Sequence, residues 1–180
     1  MKNIVVAISG PPGSGSTTIA KKLAKKLEMD YYSPGEIFKS YSKKRESEAA
    51  LEVWERFGRN KDFHEKNFDK VQIEKAKKGN IVICGKLSIH MLNGIADYKI
   101  WIESDLNARA SRTAKRDNIP VEKALEEIKK REKIERDNWK KIYGFDYLDQ
   151  RNSADFVLEN SKLTTEEAVD KILDFIEREK

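Results

Sequence analysis

This sequence predicts a three-layer α/β fold around a central parallel five-stranded sheet, and three observations carry the prediction. Short β-branched apolar runs recur five times, each of the length of a strand buried on both faces. Segments with apolar residues at helical spacing separate them, and strands alternating with helices build a parallel sheet covered on both sides. A glycine-rich turn joins the first strand to the first helix.

The elements follow in order. "NIVVAIS" (Asn3–Ser9) is the first buried strand. After a Gly-Pro loop, "TIAKKLAKKL" puts Ile19, Leu23 and Leu27 on one face and lysines elsewhere, the pattern of an amphipathic helix. Met29–Ser33 suits a second strand, punctuated by Pro34 and Gly35, and "EIFKSYSKKRESEAALEVWERF" reads as one or two helices. Asp62–Lys78 is a further amphipathic helix, ended by basic residues and Gly79. Ile81–Cys84 and Tyr98–Glu103 are buried strands, and Asp105–Arg116 and Val121–Ile142 are helical. Asp155–Glu159 is the last strand and Thr165–Arg178 the last helix. With no internal repeat and no low-complexity linker, the 180 residues form one domain.

Composition narrows the function. Apolar residues make up 38% and charged residues 37%, a lean core under a heavily charged surface. The net charge is +5, but acids and bases alternate rather than forming a basic block. That pattern fits a solvated surface with a cationic surplus around an anionic ligand, and nucleic acid is not an expected partner. Cys84 is the sole cysteine, which excludes an intrachain disulfide and argues for a small buried hydrophobe. The longest apolar runs are too short to cross a bilayer and no leader pattern opens the chain, so a cytoplasmic protein without membrane contact is expected. His64 and His90 have no partner pattern, and Trp54, Trp101 and Trp139 are read as packing residues.

The segment "GPPGSGSTT", Gly10, Pro11, Pro12, Gly13, Ser14, Gly15, Ser16, Thr17 and Thr18, has the spacing of a phosphate-binding loop. Successive backbone N–H groups in such a turn, and the unpaired ones of the first helical turn, converge on an anion. Glycines remove the Cβ atoms that would keep a phosphate away. Thr17 is placed to offer its hydroxyl to Mg²⁺. The usual lysine is missing, since Ser16 stands at its position. Serine keeps a hydrogen-bond donor and loses the point charge that reaches the β- and γ-phosphates, so cations elsewhere have to supply it.

Taken together with three further segments, the loop resembles that of the nucleoside monophosphate kinases, and within them the small archaeal-type cytidylate kinases. The likeness spans essentially the whole chain. "SPGEIFKSYSKK" is similar to the family's acceptor-site opening, which implies Ser33, Gly35 and Lys39 at the acceptor. Asp69 and Gln72, three apart on a helix and so on one face, match an Asp-x-x-Gln that faces the acceptor base. The family's Glu-Gly-Arg-Leu at a strand end is here Cys84-Gly85-Lys86-Leu87, so Lys86 keeps a cation near the phosphates while the acid is lost.

The fourth segment, residues 109–149, holds Arg109, Arg112, Arg116, Arg131 and Arg136, five of the chain's ten arginines. It resembles the archaeal-type lid, which implies that Arg112, Arg116, Arg131 and Arg136 converge on the transferring phosphoryl group and substitute for the loop lysine. Without the resemblance, Glu132 and Arg136 read as a surface i,i+4 pair.

The resemblance thus implies a P-loop NTPase-like fold: a core of about residues 1–33, 79–108 and 150–180, acceptor-binding helices over about 34–78, and a helical lid over about 109–149. It implies an ATP- and Mg²⁺-dependent monomeric enzyme that phosphorylates CMP, and dCMP as well. AMP or UMP as acceptor, or a non-catalytic nucleotide-binding protein with an RNA or protein partner, are the alternatives.

Overall fold

The computed structural model describes residues 3–179. Residues 1, 2 and 180, assigned above to the core, lie outside them. Five parallel strands run β1 (Val5–Ser9), β2 (Asp30–Tyr32), β3 (Ile81–Cys84), β4 (Tyr98–Glu103) and β5 (Phe156–Glu159), in the spatial order β2-β3-β1-β4-β5. β1 lies at the centre and is buried throughout, as its unbroken apolar run requires.

Alternate residues of β1 feed two cores, because successive strand side chains point to opposite faces. Val6 and Ile8 pack with Ile19 and Leu23 of α1 (Ser16–Lys26) and with Val169 and Ile172 of α9 (Thr165–Arg178). Val5 and Ala7 face the other side, where Trp54, Trp101, Trp139 and Tyr147 fill the space. α9 starts with a reciprocal cap between Thr164 and Glu167, and its apolar stripe seals the first core.

Between β2 and β3 the chain forms α2 (Pro34–Ser40), α3 (Glu46–Phe57), α4 (Lys61–His64) and α5 (Lys70–Lys78). The helix expected over 62–78 is not continuous: Glu65–Asp69 forms a π-helical turn between α4 and α5. The wider turn buries both Phe68 and Asp69, and such turns are frequent at functional sites. A one-turn helix α6 (Ser88–Met91) follows β3, and a 3₁₀ segment, Tyr147–Ser153, precedes β5. Both are too short to show a period in sequence.

α7 (Leu106–Asp117) and α8 (Val121–Tyr143) pair as a hairpin beside the sheet. Asn118 and Gly144, both at positive φ, end them. A polar junction ties α8 to the start of α3. Ser47 Oγ lies 2.6 Å from Asp117 and 2.7 Å from Glu127, with one proton to donate to either, and Arg45 bridges Glu48 and Glu127. Among the described residues no helix is long and apolar enough to cross a membrane.

Candidate active site

The order of strands reverses around β1, so a crevice opens beyond its carboxyl end, where open α/β sheets bind ligands. Gly10–Thr18 fills that place, running from β1 into the first turn of α1. Gly13 and Gly15 have φ of 78° and 83°, in the region that favours glycine. A Cβ at Gly10 would lie 2.3 Å from the Ile102 carbonyl oxygen, so only glycine lets the loop leave flush against β4. Asn160, after β5, donates to the Ser14 carbonyl at 2.9 Å. Arg112 donates to both the Asn160 side chain, at 3.0 Å, and its carbonyl, at 2.6 Å. Arg109 donates to the Pro12 carbonyl at 3.2 Å and to Glu132 at 2.7 Å. The loop is therefore braced from the turn after β5 and from α7.

A cleft of about 530 Å³ opens above the loop. Pro11–Thr18 line it together with Lys21, Lys39, Lys86, Arg112, Arg116 and Arg131, against only two carboxylates, Glu36 and Glu46. Glu46 is paired to Lys39 and lies 3.2 Å from Arg116. Burial and the nearby Arg131 lower the Lys39 pKa, with Glu46 pulling the other way. Such a surplus of cations suits a polyphosphate. Beside the loop, burial pushes the Cys84 thiol pKa up to about 11, with the nearby Ser16 hydroxyl opposing the rise.

A second cavity, about 60 Å³ and largely apolar, lies between α2, the π turn, the turn after β3 and α8. Trp54 and Trp139 meet edge to face with ring centres 4.6 Å apart, and His64 sits 4.8 Å from Trp139. Burial pushes the His64 pKa down to about 4, so the ring is neutral at pH 7. The α8 wall follows from spacing: Arg131, Glu135, Trp139 and Tyr143 recur every four residues and form one stripe. The polar end holds Asp69 and Gln72. Ser88 Oγ donates to Gln72 Oε1 at 3.0 Å, and the Tyr143 hydroxyl donates to Asp69 Oδ2. Burial raises the Asp69 pKa to about 6, against the hydrogen bond from Tyr143 and the nearby Gln72 amide.

Among the described residues, Lys86 and Arg131 are the only ones that line both cavities. Lys86 Nζ donates to the Gly10 carbonyl at 2.7 Å, and Arg131 Nε donates to Glu135 at 2.7 Å. Glu135 is buried with its other oxygen 3.7 Å from Lys86. Burial alone would raise its pKa, but Arg131 and Lys86 hold it below the usual carboxylate range. One carboxylate thus holds two cations at the junction of the cavities.

The structure brings most of the residues singled out in sequence to these two cavities. Pro11–Thr18, Lys39, Arg112, Arg116 and Arg131 line the cleft, Gly35, Asp69 and Gln72 the smaller cavity, and Lys86 both. Gly10 contributes its carbonyl from below. Ser33 serves as the cap of α2, its hydroxyl accepting from the Glu36 N–H at 3.2 Å. Arg136 departs from the expectation. It lies five residues after Arg131, about 140° around the helix, and is half-exposed on the outer face, paired to Asp146. The expected Glu132–Arg136 pair does not form, since Glu132 goes to Arg109. The sequence reading passed over Glu36, Glu46, Glu135, Tyr143 and the Trp54–His64–Trp139 cluster. The four-residue spacing from Arg131 to Tyr143 was the signal that could have found two of them.

A braced glycine loop at the switch point of a parallel sheet, under a cation-rich cleft, defines the fold and site of a P-loop kinase-like protein. The chain belongs to the cytidylate kinase-like family, whose model matches residues 5–162. It is 36% identical to the cytidylate kinase of Staphylothermus marinus, over 97% of each chain. It is 36% identical to that of Methanocaldococcus jannaschii, over 91% of this chain and 92% of the relative. Among solved structures, the shikimate kinase of Acinetobacter baumannii in complex with shikimate shares the fold with a TM-score of 0.66 at 18% identity, covering 98% of this chain and 94% of that one. A protein from Eubacterium ventriosum has a TM-score of 0.66 at 23% identity, covering 97% of this chain and 98% of that one.

Proposed function

We propose that the protein transfers the γ-phosphoryl group of ATP to CMP, and to dCMP, giving ADP and the corresponding diphosphate. The observation that carries this reading is the pair of cavities that share Lys86 and Arg131. The cation-rich cleft over the glycine loop takes the polyphosphate of ATP, and the aromatic cavity takes the acceptor base. The two side chains common to both then stand where the γ-phosphoryl group meets the acceptor phosphate.

The acceptor's terminal phosphate oxygen is already anionic, so it attacks phosphorus without a general base. The new P–O bond forms as the bond from the γ-phosphorus to the β,γ-bridging oxygen breaks, and ADP leaves with that electron pair. Catalysis is then positioning and charge neutralisation. Lys86 and Arg131, oriented by Glu135, supply the charge that the Ser16 position does not. Lys39 and Arg116 hold the acceptor phosphate once it displaces Glu46. Trp54 and Trp139 wall the base, and Asp69 and Gln72 read its edge.

Mg²⁺ enters with ATP and is held mostly by phosphate and water, needing one or two protein oxygens. The Thr17 hydroxyl and the Glu36 carboxylate, both in the cleft, fit that demand. When bound, the ion screens the charge of the β- and γ-phosphates.

In this reading residues 34–78 are the acceptor-binding insertion, 109–149 the lid, and the rest the core. One chain supplies the lining of both cavities, and this reading takes a monomer as the working unit. The cytoplasm, with its ATP and nucleoside monophosphates, is the compartment this reading assigns.

The test is ADP release from Mg-ATP with CMP, dCMP, UMP or AMP, against a control without acceptor. Strong stimulation by CMP is expected. Stimulation by AMP alone would overturn the acceptor assignment, and ATP binding without stimulation by any acceptor would overturn the kinase.

A further inference from the structure

We infer that Tyr143 is a positioning residue for acceptor-base selection, whose hydroxyl holds the Asp69 carboxylate in the ionised, hydrogen-bond-accepting form that an exocyclic amine requires. The inference rests on the function proposed above and deepens it.

The geometry is the starting point. Asp69 leaves the π turn into the polar end of the aromatic cavity and is buried there. Tyr143, the last residue of α8, donates its hydroxyl to Asp69 Oδ2 and leaves Oδ1 for another donor. Packing fixes the ring, whose centre is 5.6 Å from that of Trp139. On the other side, Ser88 occupies the carbonyl end of Gln72 and leaves the amide nitrogen, near Asp69, to donate to a ligand. The wall thus offers one acceptor and one donor side by side, matching an amine next to a ring nitrogen.

The chemistry makes the hydroxyl decisive. A buried carboxyl group favours its neutral form, and a hydrogen bond donated to the carboxylate favours the charged one. Glu65, on the π turn itself, adds to the bias towards the neutral form. Tyr32, at the end of β2, also feels the Asp69 charge. His64, Lys86, Arg131 and Glu135 line the same cavity, with His64 neutral at pH 7 and Glu135 offset by its two cations. Tyr143, which donates to the Asp69 carboxylate, does most among the surrounding groups to keep it charged. A protonated Asp69 would offer a donor instead, which suits the keto oxygen of uracil and not the amine of cytosine.

Tyr143→Phe keeps the ring and removes the hydroxyl. The KM for CMP is expected to rise about threefold near pH 6.5, with a smaller change in kcat, and to return towards the wild-type value by pH 8. The acid limb of kcat/KM for CMP should move up by about one pH unit, and the preference for CMP over UMP should narrow at neutral pH. In Asp69→Asn the KM for CMP should lose its pH dependence over this range. A Tyr143→Phe profile that superimposes on the wild type, or a KM raised by a constant factor at every pH, overturns the inference. Carbon-13 NMR titration of the Asp69 carboxyl in ligand-free wild type and Tyr143→Phe separates this from failure of the kinase reading. An upward shift in the variant is expected whatever the acceptor proves to be, and equal titration midpoints overturn the role of Tyr143.

Discussion

Lys86 should set the alkaline limit of the reaction while making the empty protein more stable as that limit is crossed. Its side chain is only 17% exposed, between the Gly10 carbonyl and Glu135. Burial lowers its pKa from 10.5 to about 8, with Glu135 opposing the fall. At about 1.4 kcal/mol per pH unit, keeping this proton costs the folded chain about 3 kcal/mol. Below pH 8 folded and unfolded chains both hold the proton and the cost is complete. Between about pH 8 and 10.5 the folded chain has released it and the unfolded chain has not, so stability rises with pH across that window. Activity goes the other way, because the released proton takes with it the charge at the cavity junction.

Two measurements check this. The ratio kcat/KM for ATP, which reports the free enzyme, should fall above about pH 8, and kcat should fall later because bound phosphates hold the proton on Lys86. Urea unfolding of wild type and Lys86→Met at each pH isolates the lysine from other titrations. The wild type should gain about 3 kcal/mol relative to the variant between pH 7 and 10.5. A stability difference that stays flat, or a kcat/KM that stays level to pH 9.5 while Lys86→Met is inactive, would refute the role of burial.

Arg131→Ala should lower kcat on the order of 10³-fold, whereas Arg136→Ala, on the outer face, should stay within a few-fold of wild type in the same ADP-release assay. Gly13→Ala places a side chain at φ 78°, with its Cβ 3.1 Å from Arg109, and should cost about 1–2 kcal/mol in urea unfolding and weaken ATP binding measured by calorimetry. Ser47→Ala strips a buried bridge from Asp117 and Glu127 and should cost about 1–3 kcal/mol in the same unfolding measurement.

The sheet and the loop were legible because their signals are local. Ile81–Cys84, Tyr98–Glu103 and Thr165–Arg178 appear with the ends read from sequence, since β-branched runs and a capping box mark them directly. The glycine spacing located the loop between β1 and α1 for the same reason. What sequence could not give depends on which helix face meets which neighbour. Trp54, His64 and Trp139 are far apart in the chain and converge only because α3, α4 and α8 pack together. The π turn is a one-residue change of register that no apolar period shows. Arg136 was grouped with Arg131 by family likeness, although five residues on a helix turn one away from the other.

Ser16 and Cys84 look like two separate losses in sequence, a cation from the loop and an acid from the strand end. In the structure they are neighbours, close enough for the Ser16 hydroxyl to act on the Cys84 thiol. Removing one positive and one negative charge from adjacent positions leaves the net charge of the site unchanged, so the two departures act as one exchange of an ion pair for a neutral contact. The consequence is a coupled pair of substitutions. Cys84→Glu alone buries a carboxylate at a site 3% exposed among Val82, Ile100 and Ile102, and should destabilise by about 3–5 kcal/mol. Ser16→Lys alone crowds another cation into a cleft that already holds six. The double variant should recover about 1–3 kcal/mol relative to the sum of the singles, and more of the kinase activity than either. Urea unfolding of the four proteins closes the cycle. Additive losses would mean that the two positions drifted independently, and that the neutral contact does not replace an ion pair.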